Sequence, residues 1–352
     1  MNDHGNAGTP ETFTVRLTGS GTEFAVRGGE TVLDAALRQG VVLPYSCRTG
    51  SCATCKGRVV SGEFSQGEVQ EQALSAAEQG KGYTLLCQTQ AFSDLEVEAR
   101  EVAFSEEIQI KLLPCRVVAL TRIAHDVMEM KIKLPQNQRF NYLPGQYIDL
   151  LMRDGRRRSF SIANPPGEEG VLELHVRRVP DGYFTNYVFE GLRERDLLRF
   201  QGPMGTFFLR DEEGGSPLIF VAGGTGFAPI KAILQHVFAG ETRRPIHLFW
   251  GVRAVRDLYM RDLIQSWQSR HENFEFTPVL SEPAADDQWQ GETGWVHDAV
   301  IRRYPDLSSF EVYASGPPPM IEAVKKSFAA HGLPEDRLFY DSFEFSYDVP
   351  TS

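Results

Sequence analysis

From Phe13 to Leu17 apolar side chains alternate with Thr14 and Arg16, and Phe24 and Val26 resume the alternation beyond a turn at Gly19 to Gly21. A period of two turns one face of each segment towards a core, so the pattern predicts a hairpin. Thr31 then opens a predicted helix. Asp34 stands in capping-box position, Val32, Leu33, Ala36 and Leu37 form the apolar face, and Gly40 ends it. Charged and polar residues dominate from Glu101 to Glu107, which predicts a linker near 102 to 112.

Between 113 and 210 the apolar runs are short, alternating and punctuated by Gly and Pro. They include Val127 to Leu134, Tyr147 to Leu150 and Leu172 to Val176. Regular spacing of this kind predicts an antiparallel barrel. From Pro217 the pattern changes to a continuous apolar run Leu218 to Ala222, a Gly-rich turn, an apolar helix Ile230 to Phe238 and a second buried-type run Ile246 to Trp250. Strand and helix in alternation predict a doubly wound parallel sheet with helices on both faces. The strand, strand and helix at the start have the shape of a β-grasp. The expected architecture is therefore multi-domain α+β and α/β, with domains at 11–103, 112–211 and 212–345. A length of 352 residues agrees with two or three cores.

Lys and Arg number 36 against 47 Asp and Glu, a formal charge of −11 at pH 7, which argues against nucleic acid and anionic membranes as partners. No apolar run approaches the roughly 18 residues of a membrane span. Met1 to Pro10 is polar where a secretory leader would be basic and then apolar, so a cytoplasmic location is expected.

Five cysteines make an odd number for a disulfide framework, and three of them crowd into Cys47 to Cys55. Cys47-x4-Cys52-x2-Cys55, followed by 31 intervening residues and then Cys87, is the plant-type spacing in which four thiolates hold a [2Fe–2S] cluster. The intervening residues are small, so the backbone can wrap closely and aim N–H groups at the sulfurs, and Gly50 marks a conformation that other residues resist. Structural zinc is the competing use of four thiolates, but it is normally held by two matched Cys-x2-Cys pairs. Cys115 falls outside the pattern in apolar surroundings and is expected to be an inert core thiol.

With these residues in view, 11 to 100 resembles a plant-type ferredoxin domain. The remainder resembles the ferredoxin–NADP reductase superfamily. That resemblance implies FAD, with FMN the other option, held first at Arg158-Ser159-Phe160-Ser161, where Phe160 replaces a commoner Tyr. A guanidinium suits the flavin pyrophosphate, and Ser161 the N5 edge of the ring system. Arg156 and Arg157 stay open between that role and solvated strand-edge charges. The further flavin segments resemble His175-Val176-Arg177-Arg178 and Gly182-Tyr183-Phe184-Thr185-Asn186, the second a helix start whose amides suit a pyrophosphate. His175 taken by itself reads equally as a satisfied strand histidine.

The turn Gly223-Gly224-Thr225-Gly226, with Pro229 early in the helix that follows, suits the pyrophosphate of a nicotinamide dinucleotide. In the family's order come Arg253, Asp257 and Tyr259, then Ser281, then Ser315-Gly316-Pro317-Pro318-Pro319-Met320. Ser315 stands where most relatives carry Cys beside the nicotinamide. Arg253 and Arg256 would welcome a 2′-phosphate and Asp257 would oppose it, so NADH is expected, with NADPH possible. The C-terminal run places Phe343 as a ring over the flavin and Glu344 as a carboxylate; ordinary edge-strand residues are the alternative.

A nicotinamide gives two electrons as hydride and the cluster takes one at a time, so a flavin between them implies the order NADH, FAD, [2Fe–2S], partner. The three-part order resembles reductase components of multicomponent oxygenases, both Rieske dioxygenases or demethylases and phenol-type hydroxylases. It equally resembles the reductase of CDP-6-deoxy-hexulose dehydration in deoxysugar synthesis. The expected partner is a terminal oxygenase component or its ferredoxin, or alternatively the deoxysugar dehydratase, met through the cluster loop near Arg48. A carrier or cluster sensor without reductase activity is the remaining reading.

Overall fold

The structure, a computed structural model, describes residues 11–102, 108–152, 154–167, 169–210, 215–240 and 242–343. The chain divides into two compact units, Met1–Glu106 and Glu107–Ser352.

In the first unit the elements are β1 (Thr12–Leu17), β2 (Glu23–Arg27), α1 (Val32–Arg38), β3 (Lys56–Ser61), β4 (Phe64–Gln66), α2 (Ala76–Gln79), β5 (Tyr83–Leu85), β6 (Thr89–Ala91) and β7 (Leu95–Glu98). β1 and β2 form the predicted hairpin, with Phe13 opposite Val26 and Val15 opposite Phe24. The five-stranded sheet runs β2-β1-β7-β3-β5, β7 parallel to β1, which is the β-grasp order. Thr31 Oγ1 accepts from the Asp34 amide at 3.1 Å, as a capping residue should. The return half of the expected capping box is missing, because the Asp34 carboxylate accepts from Arg48 Nη2 at 2.6 Å. That ion pair ties the helix to the cysteine loop instead.

The second unit begins with a six-stranded antiparallel sheet of β8 (Lys111–Arg122), β9 (Val127–Lys133), β10 (Tyr147–Leu151), β11 (Arg157–Ser161), β12 (Val171–Arg177) and β13 (Leu197–Met204), with α3 (Tyr183–Glu190) before the last. Its order is β11-β10-β13-β8-β9-β12. A bridge from Ile162 to Leu174 and the Ala163 amide on the Glu173 carbonyl at 2.8 Å join the two ends and close the barrel. Closure removes the exposed edges and encloses a core of Val117, Met130, Ile132, Ile148, Leu174 and Phe200.

The chain then makes β14 (Leu218–Gly223), α4 (Phe227–Ala239), β15 (Ile246–Val252), α5 (Arg261–Arg270), β16 (Phe274–Leu280), β17 (Glu292–Thr293), α6 (Val296–Arg303), β18 (Glu311–Gly316), α7 (Pro318–Ala330) and β19 (Leu338–Ser342). All pairings are parallel, in the order β17-β16-β15-β14-β18-β19. Every residue of β14 is buried, because Phe220 faces one core with Trp250 and Ile230 while Ile219 and Val221 face another with Phe249 and Val324. The strand order reverses beside β14, so a crevice opens at its carboxyl end, where doubly wound sheets bind ligands. Among the described residues no helix is long and apolar enough to cross a membrane.

Leu174 is fully buried at the barrel's closing strand. Leu174→Ala should cost about 2–5 kcal/mol. A urea titration followed by tryptophan fluorescence would read this as a lower midpoint at unchanged slope; an unshifted midpoint would contradict the closure described.

Candidate functional site

The loop between α1 and β3 carries three cysteines, and Cys87 reaches it from the short helical turn after β5. The sulfurs form two facing pairs, Cys47 with Cys52 and Cys55 with Cys87. The Cys52 thiol, with Ser51 and Thr49 donating as well, pulls Cys47 down to about 4, and Cys55 lowers Cys87 in the same way. Cys52 and Cys55 are pushed well up by those partners and by burial. Each pair thus shares a proton that a cation would replace, and two such pairs fit two irons with two sulfur ligands each.

The wrapping of this loop needs left-handed backbone at Arg48 (φ 60°), Gly50 (φ 81°) and Ala53 (φ 63°). Only Gly50 was visible as such in the sequence; a Cβ there would lie 2.6 Å from the Glu68 carbonyl. The Thr49 amide points at Cys47 Sγ at 3.4 Å. The buried Thr54 hydroxyl has no oxygen or nitrogen partner and turns to the Cys52 sulfur. Cys115 lies elsewhere, in β8, its thiol pushed up to about 12 by burial.

On the barrel, Arg158 is partly desolvated with the Arg156 charge beside it, which lowers its pKa and makes an anion welcome there. Arg156 pairs with Asp154 at 2.6 Å and lies over the Tyr183 ring at 4.7 Å, while Arg157 bonds Gln201. Tyr183 opens α3, and Gly182 before it provides no side-chain cap, so the first-turn amides suit an anion. Other expected flavin residues serve the protein itself. The Ser159 hydroxyl donates to Asp149 at 2.6 Å, Phe160 rests on the buried Phe184, Val176 is in the core, and the Thr185 hydroxyl accepts from the Val179 amide. Their side chains are committed, which leaves backbone for a ligand.

The His175 ring is buried, as in the satisfied-histidine reading, with Nε2 on Glu173 at 2.8 Å and Nδ1 on the Tyr259 hydroxyl at 3.1 Å. Tyr259 is therefore a strut to the barrel. Arg177, expected on the flavin, bonds Asp126 at 2.8 Å and presses on the Gly-rich turn, where a Cβ on Gly224 would lie 2.8 Å from its Nη1.

That turn follows β14, with Thr225 within it and Pro229 in the first turn of α4. A Cβ on Gly226 would lie 2.0 Å from the Ser315 carbonyl, and one on Gly223 2.5 Å from Met320 Sδ. Met320 fills the space above Gly223 and Gly316, next to Pro317. The Trp250 indole donates to the Gly224 carbonyl at 2.9 Å. At the carboxyl ends of β15 and β16, Ser281 and Glu282 donate their amides to Val252 and Arg253. Asp257, expected to oppose a 2′-phosphate, accepts from the Ala254 amide through Oδ2 at 3.0 Å.

Ser315 is fully buried and its hydroxyl has no hydrogen-bond partner among the described residues. Asp341 is its register neighbour in β19, and Asp341 Oδ2 lies 3.4 Å from Ser161 Oγ. Ser161, Ser315 and Asp341 thus gather where the flavin-type strand meets the parallel sheet. Phe343 follows, half-buried, its amide on the Gly316 carbonyl at 3.3 Å. Glu344 lies outside the described residues, and the carboxylate at this place is Asp341, which sequence reasoning passed over two positions before Phe343.

The sequence reading also missed Lys231. Its ammonium is buried and donates to Glu173 at 2.9 Å and to the Ala163 carbonyl at 3.0 Å. A lysine in an otherwise apolar helix and a glutamate inside the run Leu172 to Val176 were the available signals.

Family models match along this framework: "2Fe-2S iron-sulfur cluster binding domain" over residues 15–92, "Oxidoreductase FAD-binding domain" over 114–209 and "Oxidoreductase NAD-binding domain" over 220–326. The chain is 40% identical over 331 residues to the CDP-6-deoxy-L-threo-D-glycero-4-hexulose-3-dehydrase reductase of Yersinia pestis, covering 94% of this chain and 98% of that protein. The chain belongs to the three-domain iron–sulfur flavoprotein reductases. This reductase is also 37% identical over 342 residues to DmpP, the reductase component of phenol 2-monooxygenase from Pseudomonas sp. (strain CF600), covering 96% of each. Among solved structures it is similar to the Amycolatopsis cytochrome P450 reductase GcoB, at TM-score 0.78 and 34% identity over 94% of this chain and 98% of that one. The reductase is an oxidoreductase with [2Fe–2S], FAD and NAD domains, which removes the zinc and non-reductase readings. When bound, the flavin supplies the exchange between a two-electron hydride and single electrons.

Two outcomes follow from this geometry. Replacing any one of Cys47, Cys52, Cys55 or Cys87 by Ser should abolish or reshape the visible cluster absorption, whereas Cys115→Ala should leave it intact; loss with Cys115→Ala would refute the pairing. Glu173 is held down at about 2 against an ordinary 4.5, desolvation being outweighed by His175 and Lys231. A depressed carboxyl stabilises the fold above its unfolded pKa, so about 3 kcal/mol should be present at pH 7 and lost as pH falls from 4.5 towards 2. Urea midpoints of wild type and Glu173→Gln should differ at pH 7 and converge in that window, and parallel curves would contradict it.

Proposed function

We propose that the reductase takes hydride from NADH and delivers electrons singly, through the cluster of Cys47, Cys52, Cys55 and Cys87, to the redox centre of a partner oxygenase component. The observation that carries this is the meeting of Ser161, Asp341 and the buried Ser315 at the carboxyl end of the parallel sheet, in a chain that also has four paired cysteines. Arg158 and the uncapped start of α3 hold the FAD pyrophosphate. Gly223, Gly224 and Gly226, with Arg177 against them, hold that of the nucleotide. The Ser161 hydroxyl, with Asp341 beside it, can donate to a flavin edge or accept from it, and Ser315 offers a hydroxyl at the ring of the nicotinamide. Phe343, which follows β19 with its amide on the Gly316 carbonyl, is our choice for the covering ring.

NADH over NADPH is supported by a changed set of charges. Asp257 and Asp287 are both spent on capping amides, while the Glu282 amide donates to the Arg253 carbonyl and Asp286 follows in that loop. The Glu282 and Asp286 carboxylates oppose a 2′-phosphate dianion that Arg253 and Arg256 would attract. A cytoplasmic location agrees with the sequence reading. A second reading of the partner, a CDP-hexulose dehydrase in deoxysugar synthesis, is favoured by the 40% identity to that system's reductase.

The test mixes NADH-reduced protein with purified oxygenase components, their ferredoxins and CDP-hexulose dehydrase, and measures each acceptor's reduction. Transfer to an oxygenase component at its turnover rate supports the first reading, and transfer to the dehydrase alone replaces it with the second. NADH should exceed NADPH in kcat/KM by about tenfold or more, the equivalent of about 1.4 kcal/mol. A preference for NADPH would overturn the donor assignment.

A further inference from the structure

Lys231 is 4% exposed, in the second turn of a helix whose other inward positions are apolar. An ammonium has three protons to donate, and all three find acceptors: Glu173 Oε1 at 2.9 Å, the Ala163 carbonyl at 3.0 Å and Gln235 Oε1 at 3.4 Å. The same Glu173 oxygen takes His175 Nε2, and His175 Nδ1 meets the Tyr259 hydroxyl. The chain of bonds begins and ends on the parallel-sheet domain and passes through the barrel between. Burying a charge in this way gains little stability over a well-packed apolar pair, so stability alone does not explain its presence.

Its attachment points are informative. Ala163 lies two residues beyond Ser161 on the segment that closes the barrel, and Lys231 lies five residues beyond Gly226 at the end of the Gly-rich turn. Tyr259 belongs to the loop after β15, beside Trp250, whose indole holds the Gly224 carbonyl. We infer that Lys231 and Glu173, with His175 and Tyr259 as their extension, are positioning residues that set the register of the nicotinamide turn against the flavin strand for hydride transfer. Hydride transfer is steeply sensitive to placement, a misfit of about 1 Å costing on the order of 100-fold in rate. A salt bridge with fixed hydrogen-bond directions specifies that register where apolar contact would allow sliding.

The inference rests on the NADH-to-flavin step of the proposed function. Wild-type holoprotein is therefore tested first by stopped flow: failure of NADH to reduce its flavin would overturn that reading and this inference with it, whereas reduction in wild type at a rate the variant below does not change would overturn this inference alone. The decisive variant is Lys231→Met with Glu173→Leu, which leaves no unpaired buried charge. It is expected to keep its FAD spectrum and unfolding midpoint and to bind NADH within about threefold of wild type. Flavin reduction at saturating NADH should slow by about tenfold or more, and the long-wavelength charge-transfer absorbance of the stacked nicotinamide and flavin should fall by half or more. A purely structural role would lower the midpoint without moving that band. Wild-type rate and band in the double variant would overturn the inference. Should that variant lose FAD, Tyr259→Phe decides by the same two signals, with a slowing of about threefold expected and wild-type values overturning it.

Discussion

The reductase unit is organised around a place with no room for side chains. At the turn after β14, the Ser315 carbonyl, the Met320 sulfur and the Arg177 guanidinium all stand where Cβ atoms of Gly226, Gly223 and Gly224 would lie. Backbone against backbone brings β18 to the carboxyl end of the parallel sheet, and the Arg177 side chain brings the barrel strand β12 there. The groups at that end follow: Ser315 in β18, Asp341 beside it in β19 and Ser161 across from the barrel. A methyl group on Gly226 would push these pieces apart, while one on Gly223 or Gly224 would displace the Met320 or Arg177 side chain.

Charge is distributed to match what each half must hold. The barrel presents Arg158 and an uncapped helix start, both suited to a pyrophosphate. The interior of the same unit spends its charges on itself, with Lys231, Glu173 and His175 joined in one buried group and Arg177 paired to Asp126. In the ferredoxin-type unit the sulfurs are paired, one of each pair held low, Cys47 at about 4, and the other pushed up, an arrangement that suits a cation.

The cysteine centre was legible because ligand spacing is local and chemically specific, and the Gly-rich turn because close approach leaves glycine as its mark. The three fold types were legible from the change of period at about residue 113 and again at 217. Side-chain direction was not. Ser159 and His175 lie in segments that resemble flavin-binding ones, yet their side chains satisfy Asp149 and Glu173. Asp257 was expected to oppose a 2′-phosphate, and its carboxylate caps its own turn. Asp341 was passed over for Glu344 because the register of an edge strand is set by its neighbour β18 and not by its own sequence. Lys231 escaped notice because a buried ion pair joins positions 58 residues apart, and pairing at that range leaves no local pattern.

The central claim is that one polypeptide carries electrons from a nicotinamide through a flavin to a two-iron cluster. Anaerobic titration of the reconstituted protein with NADH, followed by visible absorption and electron paramagnetic resonance, tests it most directly. Two electrons for the flavin and one for the cluster predict an endpoint at about one and a half NADH per chain, with a reduced-cluster signal rising as the flavin bleaches. An endpoint at about one NADH per chain with the cluster still oxidised, or no bleaching at all, would contradict the account.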